Sequence, residues 1–504
     1  MGDPYVLMLI ALAVLAIVDL VVGVSNDAVN FLNSAIGSKA IPVKNIMIIA
    51  SVGVFLGAIT SSGMMEVARK GIFNPDMFVF QDVMLIFMAV MITDILLLDV
   101  FNSLGMPTST TVSIVFELLG AAFVIALIKI TQNDTENLSA IWNYINYNTA
   151  TEIILGILLS VAVAFTVGAI VQYFSRLIYS FNFENRPTYI HSLFGGFAIT
   201  AITYFIIIKG LQGTEFYGSI KHILDDNNAL ILGVNFVFWT AFSHVFVKIL
   251  KKNILVLIIG VGTFSLAMAF AGNDLVNFIG VPIAALNSYE VWHSSGVDPT
   301  LFYMDSLAKK VPSNVWLLLL AGAIMVITLW TSSKAKSVIE TGINLSRQGE
   351  GHEKFQPNNL SRIVVRFSMF INSGINYVIP TKTQEFINSK FEKPVIKLPK
   401  DKTYEMPAFD LVRAAVNLVM ASALISIATS MKLPLSTTYV TFMVAMGSSL
   451  ADRAWGRESA VYRVAGVLNV IGGWFLTAII AFVAAGIVAY FINLHMAFIP
   501  ILLL

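Results

Sequence analysis

The sequence contains no cysteine, and charged residues make up only 12% of its 504 residues. The absence of cysteine excludes disulfide scaffolds, thiolate metal sites and cysteine nucleophiles. The net charge of +1 argues against nucleic-acid binding, which needs a basic face. No glycine-rich phosphate-binding loop is present, which argues against direct drive by ATP. We find no nucleophile system or metal triad either, so we predict no enzyme, no catalytic residue and no organic cofactor.

Apolar residues are abundant, at 57% of the chain with a mean hydropathy of +0.80. A membrane-spanning helix needs about 20 apolar residues. Twelve stretches approach that length, so we predict an all-α polytopic membrane protein with about 12 transmembrane segments, the first retained and not a cleaved signal peptide. The predicted segments are 4–24, 41–61, 82–103, 112–131, 150–172, 189–209, 229–249, 253–271, 313–331, 409–430, 437–451 and 463–492.

One polar pattern, Asn-Asp-x-x-Asn, occurs twice at predicted membrane depth, at 26–30 and 273–277, and we expect the helix to be broken at each copy. A charged residue at the centre of a bilayer costs about 2.5–3.5 kcal/mol on insertion scales, so it marks a functional site by default. Carboxylate and amide oxygens suit hard cations. We therefore predict sodium ligands, listed as Asn26, Asp27, Asn30, Asn273, Asp274 and Asn277, although asparagines also join membrane helices by hydrogen bonds.

A second pattern, Pro-x-Ser-Thr-Thr, also occurs twice, and each copy interrupts an apolar region. A proline followed by hydroxyl residues indicates the start of a helix. Helix N-termini offer free N–H groups and a partial positive charge to an oxyanion. We predict two re-entrant hairpin tips at 105–111 and 431–438 that bind phosphate, with simple N-capping as the alternative. The phosphate ligands are predicted to be Ser109, Thr110, Thr111, Ser436, Thr437 and Thr438, together with Asp27 and Asp274.

The two patterns repeat in the same order, which indicates an internal duplication. Asp27 precedes Ser109 by 82 residues, whereas Asp274 precedes Ser436 by 162. The excess is close to the length of one hydrophilic segment, 332–408. We therefore divide the chain into 1–210 (first half), 211–331 (start of the second half), 332–408 (insertion) and 409–504 (end of the second half). The spacing alone leaves open whether the halves are parallel or inverted.

Charge distribution predicts the orientation. No basic residue precedes the first span, so the N-terminus is expected outside, and the acidic loop 132–149 is also expected outside. The segment 332–408 carries twelve Lys and Arg residues against seven Asp and Glu residues, which places it in the cytoplasm. Further polar residues in or near the third span could extend a cation path or form another ion site. They are Asp94, Asp99, Asn102 and Glu117.

These motifs resemble those of the inorganic phosphate transporter (PiT) family, which carries a duplicated Gly-Ala-Asn-Asp-Val-Ala-Asn-like signature. The second copy, 272–280 followed by Pro282, is very similar, and the first matches at 26–30 followed by Gly37 and Ser38. Pro107 and Pro434 fit the tips. The first copy departs from the family at Val24 and Ser25.

The resemblance implies a sodium- or proton-coupled symporter with inverted repeats, usually a homodimer in the lipid bilayer. It implies that the matching Asp and Asn residues share phosphate and sodium contacts while the tips hold the anion.

We predict a secondary symporter that imports inorganic phosphate on a sodium gradient by alternating access at a midplane site, and we expect it in a bacterial inner membrane. A protonated phosphate can donate a hydrogen bond to a carboxylate and sulfate cannot, which favours phosphate if an aspartate touches the anion. A proton-coupled phosphate or sulfate permease is the alternative. An ion channel would also use polar tips, but channels are usually rings of identical subunits, whereas here two halves build one site.

Overall fold

A computed structural model describes residues 3–61, 72–133, 136–206, 227–308, 314–347, 356, 358–378, 380–392, 407–431, 433, 435–453 and 457–503. Within these ranges the fold is helical, with two isolated β-bridges, Phe73 to Ile145 and Val79 to Tyr303. The helices are α1 Pro4–Ser38, α2 Val43–Thr60, α3 Phe80–Ser103, α4 Thr110–Gln132, α5 Ile141–Tyr144, α6 Tyr147–Tyr179, α7 Thr188–Thr203, α8 Asn228–Lys248, α9 Ile254–Ser295, α10 Val315–Thr331, α11 Ser333–Ser346, α12 Asn359–Val378, α13 Thr381–Lys390, α14 Leu411–Ser430, α15 Thr437–Ala451, α16 Arg457–Leu494 and α17 Phe498–Leu503.

Each predicted span coincides with a helix, and the all-α membrane fold is confirmed. Among the described residues, ten helices are long and apolar enough to cross a membrane, or eleven if the bent pair α10 and α11 forms one span. The count falls below twelve because α15 has only 15 residues, short of the roughly 20 that a simple span requires. The protein is an integral membrane protein.

The long helices α1 and α9 run through both Asn-Asp motifs without interruption, contrary to the helix breaks we expected there. Helix α1 continues for 35 residues and α9 for 42. Their asparagines cause no break because the side chains bond to other elements instead of to their own backbone. Each motif therefore lies in the middle of a continuous helix.

Breaks occur elsewhere, at the two tips and at Ser332. Ser109 and Ser436 cap the helices that follow the tips, each accepting a hydrogen bond from the N–H three residues later. Ser332 caps α11 and separates it from α10, and the two helices bend by 72°. Pro434 lies outside the described residues. The re-entrant path of both tips stays a prediction.

The two motif helices run antiparallel where they meet. A Cβ atom on Gly23 of α1 would lie 2.1 Å from the Phe278 ring of α9. Eight residues further along α1, Phe31 packs on Phe270 of α9 at 5.1 Å between ring centroids. The contact on α9 therefore moves backward by eight residues while that on α1 moves forward. In the duplication, Gly23 is equivalent to Phe270, and Phe31 is equivalent to Phe278. Gly23 therefore contacts the equivalent of Phe31, and Phe31 contacts the equivalent of Gly23.

The helices after the two tips are anchored by equivalent glycines, each eleven residues after its serine. A Cβ atom on Gly120 of α4 would lie 2.1 Å from the Phe482 carbonyl oxygen of α16. A Cβ atom on Gly447 of α15 would lie 2.1 Å from the Phe165 carbonyl oxygen of α6. Glycine at both positions lets two backbones touch, as small residues commonly do between membrane helices.

Helix α11 belongs to the core, although the sequence placed it inside the hydrophilic insertion. Its residues Val338 and Ile339 are buried. Its Gly342 packs against the side chains of Val29 and Asn33 on α1. The apolar face of this otherwise polar helix is therefore covered by α1.

Candidate functional site

Asp27 is bonded to both tips at once. Its side chain is fully buried. The hydroxyl of Thr110, from the first tip, donates to Asp27 Oδ2 at 3.0 Å. The hydroxyl of Thr438, from the second tip, donates to Asp27 Oδ1 at 2.9 Å. One carboxylate from the first half therefore connects elements from both halves.

Asp274 makes the equivalent contacts from α9. It is also fully buried. Thr111 of the first tip donates to Asp274 Oδ1 at 3.3 Å, and Thr437 of the second tip donates to Asp274 Oδ2. The two aspartates act on each other electrostatically. The four motifs that the sequence singled out thus meet in one place.

The last asparagine of each motif joins its aspartate to the tip of the opposite half. Asn30 Nδ2 donates to the hydroxyls of Thr437 and Thr438 at 3.2 and 3.0 Å. Asn277 Nδ2 donates to the hydroxyls of Thr110 and Thr111 at 3.3 and 3.0 Å. The crosswise pattern makes each tip a partner of both long helices.

The first asparagine of the first motif holds the backbone of the first tip. Asn26 Nδ2 donates to Asn102 Oδ1 at 2.8 Å and to the Met106 carbonyl oxygen at 3.1 Å. Asn26 Oδ1 accepts from the Thr108 N–H at 2.9 Å. Asn26 therefore joins helix α1 to the first tip by hydrogen bonds, which was the alternative to sodium binding. Its side-chain oxygen already accepts one of these bonds.

Asn273 does the same for the second tip. Its Nδ2 donates to the Leu435 carbonyl oxygen at 3.1 Å, and its Oδ1 accepts from the Thr429 hydroxyl at 3.2 Å. Thr429 is not among the site residues predicted from the sequence. It precedes Ser436 by seven residues, as Asn102 precedes Ser109, and that shared spacing could have revealed it.

Ser109 and Ser436 differ from the neighbouring threonines because their hydroxyl oxygens cap helices. Each accepts a backbone N–H at 3.1 Å, from Val112 and Tyr439 respectively. The capping alternative therefore describes what these two serines do in the structure. Each hydroxyl retains its proton and can still donate to an anion.

The site holds two buried acids with no basic partner among the described residues. The groups that bond to Asp27 and Asp274 are nearby hydroxyl and amide groups. The buried arginines are engaged elsewhere: Arg176 pairs with Asp410 and Asp452 at the far ends of α14 and α15. Asp452 is fully buried against Arg176.

A cavity of about 20 Å³ lies beside the site, next to Asn30 and Thr438. This is room for about one water molecule. It is lined further by residues of α14 and α15, including Asn417 and Phe442. A tetrahedral oxyanion is larger than this space.

Two other predicted polar residues have structural partners. Asp99 pairs with Lys334 of α11 at 2.5 Å, where both side chains are about half exposed. Asn102 supports Asn26, as described above. Asp94 and Glu117 lie apart from the site and join a third buried acid, Asp19, on α1.

Comparison with known proteins places these features in a family. The profile of the Phosphate transporter family matches residues 23–342, which include the first tip, both Asn-Asp motifs and most of helix α11. The chain belongs to the phosphate transporter family. Membership makes it a membrane transporter for phosphate and not an enzyme, and it confirms the resemblance on which the sequence analysis drew.

Relatives and a solved structure agree with this assignment. A protein named "Putative phosphate permease" from Thermococcus kodakarensis is 27% identical over 309 residues, covering 59% of this chain and 68% of that protein. A protein of the same description from Pyrococcus furiosus is 25% identical over 327 residues, covering 63% and 71%. A solved structure described as "The sodium-dependent phosphate transporter" has a TM-score of 0.64 at 18% identity, covering 97% of this chain and 99% of that one. This last likeness establishes the fold.

Proposed function

We propose that this phosphate transporter family member is a symporter that imports inorganic phosphate on a sodium gradient, by alternating access around Asp27 and Asp274. The observation that carries the proposal is the bonding of each buried aspartate to threonines from both tips. The proposed phosphate ligands are the serines and threonines of the tips together with the two aspartates.

Charge balance supports a cation-coupled mechanism. Two carboxylates and an oxyanion in one buried site would carry at least three negative charges, and no basic side chain among the described residues acts on the aspartates. Desolvating such charges without counterions is prohibitive. Sodium ions bound by Asp27 and Asp274, with amide oxygens of Asn30 and Asn277, would neutralise the site when phosphate binds. Asn26 and Asn273 are better suited to hold the tips in place.

The contacts also support phosphate in preference to sulfate. The aspartates lie next to the threonine hydroxyls, so an anion held by the tips would contact a carboxylate. Monohydrogen and dihydrogen phosphate carry a proton that they can donate to such a carboxylate in a hydrogen bond, whereas sulfate would leave two anions facing each other.

Antiparallel contact between α1 and α9 supports inverted repeats. Equivalent residues of two halves exchange contacts in reverse order, as in the pairs Gly23–Phe278 and Phe31–Phe270. Two inverted halves around one midplane site are the usual basis of alternating access, in which one half rocks against the other. The small size of the cavity supports such a motion, because an oxyanion is larger than the space beside the tips.

The test is uptake of labelled phosphate by the full-length protein in proteoliposomes. We expect uptake with an inward sodium gradient and at least a tenfold decrease, on the order of 1.4 kcal/mol, in Asp27→Asn and Asp274→Asn, since each variant removes a charge that sodium would balance. Glu152→Gln, which alters an exposed carboxylate on α6, is the control and should transport normally.

Three outcomes would contradict the proposal. If uptake by the wild type does not depend on sodium and follows a pH gradient, the coupling ion is the proton and not sodium. Sulfate that competes as well as phosphate would overturn the substrate. Full sodium-driven uptake in Asp274→Asn would remove this carboxylate from the site.

A further inference from the structure

A second buried acidic cluster lies outside the proposed phosphate site. It consists of Asp19 on α1, Asp94 on α3 and Glu117 on α4, and we call it the carboxyl trio. All three side chains have zero exposure. Three acids this deeply buried on three different helices need a compensating partner.

The described residues provide almost none. No N–H or O–H group bonds to either oxygen of Asp19, to either oxygen of Asp94, or to Glu117 Oε2. Glu117 Oε1 accepts a single hydrogen bond, from the Ser113 hydroxyl at 2.7 Å. Five buried carboxyl oxygens therefore have no protein donor.

The carboxyl groups nevertheless face one another. Asp94 acts electrostatically on both Asp19 and Glu117, and Asp19 also acts on Glu117. Two neighbouring carboxyl groups can share a hydrogen bond only when one of them is protonated, because an ionised carboxylate has no proton to donate. The same relation makes one proton shared by two acids more favourable than two adjacent charges.

Among the described residues, no positively charged side chain bonds to the unpartnered oxygens of the trio. The groups that act on the trio are its own members, Ser113 and Asp27. The lysines on the neighbouring helices pair with other acids, Lys129 with Asp82 and Lys334 with Asp99. None of the other charged residues on the helices packed around α1, α3 and α4 bonds to the five carboxyl oxygens that have no donor. These residues include Lys44, Asp274, Glu290, Lys336, Glu340 and Arg413.

The trio is separate from the phosphate site but close to it. Asp19 precedes Asp27 by eight residues, or roughly 12 Å along α1 at 1.5 Å per residue. Glu117 follows Thr110 by seven residues, roughly 10 Å along α4. Both displacements point toward the N-terminus of α1 and the C-terminus of α4, which is the side predicted to face outward.

We propose that the carboxyl trio is a proton-binding site, distinct from the phosphate site, that exchanges its proton with the outer side during transport. A proton fits better than a metal ion, because no group of three or more His, Cys, Asp or Glu side chains among the described residues is arranged to hold a metal. This inference adds to the proposed function, since bound protons would make transport depend on external pH as well as on sodium.

The first test is infrared spectroscopy of the purified full-length protein in lipid, which needs no transport activity. We expect a carbonyl band from protonated carboxyl groups in the wild type and loss of part of it in Asp94→Asn. Glu117→Gln provides a second variant, and both replacements resemble a protonated acid in shape, so folding should be retained. Asp99→Asn, on the same helix as Asp94, should leave the band unchanged. An identical band in all four proteins would overturn the proposal.

The second test is the dependence of phosphate uptake on external pH at constant sodium. Asp94→Asn should show a flatter profile than Asp99→Asn, because the exchangeable proton is lost. If instead the sodium concentration for half-maximal uptake changes while the pH profile does not, the trio binds sodium and the proton assignment is wrong. Absence of any uptake by the wild type would contradict the proposed function while leaving the infrared result to decide the trio.

Discussion

At the scale of single residues, neighbouring hydroxyl side chains of the proposed phosphate site have different hydrogen-bonding partners. Thr110 and Thr438 donate to Asp27, whereas Ser109 and Ser436 cap the helices beside them. The difference comes from position at a helix start. The capping residue turns its oxygen back to the N–H groups of its own helix, and the next residues project outward.

Removing one threonine hydroxyl tests this division. Thr438→Val should lower kcat/KM for phosphate by about tenfold or more, since a hydrogen bond to a charged group contributes about 1.5–3 kcal/mol. Thr438→Ser retains the hydroxyl and should remain close to the wild type. Initial rates of sodium-driven uptake over a range of phosphate concentrations measure both effects.

Thr166→Val is the matched control, because Thr166 is exposed on α6 and its hydroxyl donates only to the Ala162 carbonyl oxygen of its own helix. Equal losses in Thr438→Val and Thr166→Val would mean that the Thr438 hydroxyl has no special role.

At the scale of helices, close backbone contact positions each tip. Helix α4 meets α16 at Gly120, and α15 meets α6 at Gly447, with the same 2.1 Å from a hypothetical Cβ atom to a carbonyl oxygen. The glycines lie three turns beyond their tips, so any separation of the helices there would move the threonines relative to the aspartates.

Alanine substitution of these glycines should therefore destabilise the protein. Ala normally favours a helix over Gly by about 1 kcal/mol, but at Gly120 and Gly447 the added methyl group would collide with backbone. We expect lower melting temperatures for Gly120→Ala and Gly447→Ala in detergent, measured by thermal unfolding.

Gly156→Ala on α6 is the control, because no atom lies within 4 Å of the position that its methyl group would take, and it should be neutral or stabilising. A melting temperature unchanged in all three variants would show that the close contacts do not constrain the helices.

At the scale of the whole molecule, lipid-facing and core helices differ in coverage. Both α8 and α3 are apolar enough to cross a membrane. Only 6% of the residues in the most apolar stretch of α8 are buried inside the protein, whereas 78% of those in α3 are. Apolar surface of this kind is covered by lipid in a membrane. The homodimer implied by the family resemblance stays a prediction.

Membrane orientation can be tested directly because the chain has no cysteine of its own. Leu138→Cys, in the loop predicted outside, should react with an impermeant maleimide applied to intact cells. Lys382→Cys on α13, in the segment predicted to be cytoplasmic, should react only after the cells are opened. Both positions are exposed. The reverse labelling pattern would invert the topology and place the carboxyl trio on the inner side.

The sequence by itself determined the class of protein, the positions of its spans and the four motifs of the site. The length of an apolar stretch and the polar residues within it can be read locally along the chain. They are informative because a segment in lipid must satisfy its backbone polar groups internally and because a charged residue there is costly. It did not predict that α1 and α9 continue unbroken through their motifs, or that α11 is covered by α1. Those outcomes depend on which distant side chains satisfy the asparagines and cover the apolar faces.

Only the tertiary structure decided which hydroxyl bonds to which aspartate, and that Asp19, Asp94 and Glu117 form one cluster. These acids are 75 and 23 residues apart along the chain, and each alone looks like an isolated polar residue in a span. Packing of three helices brings them together, and no periodicity within one helix encodes that contact.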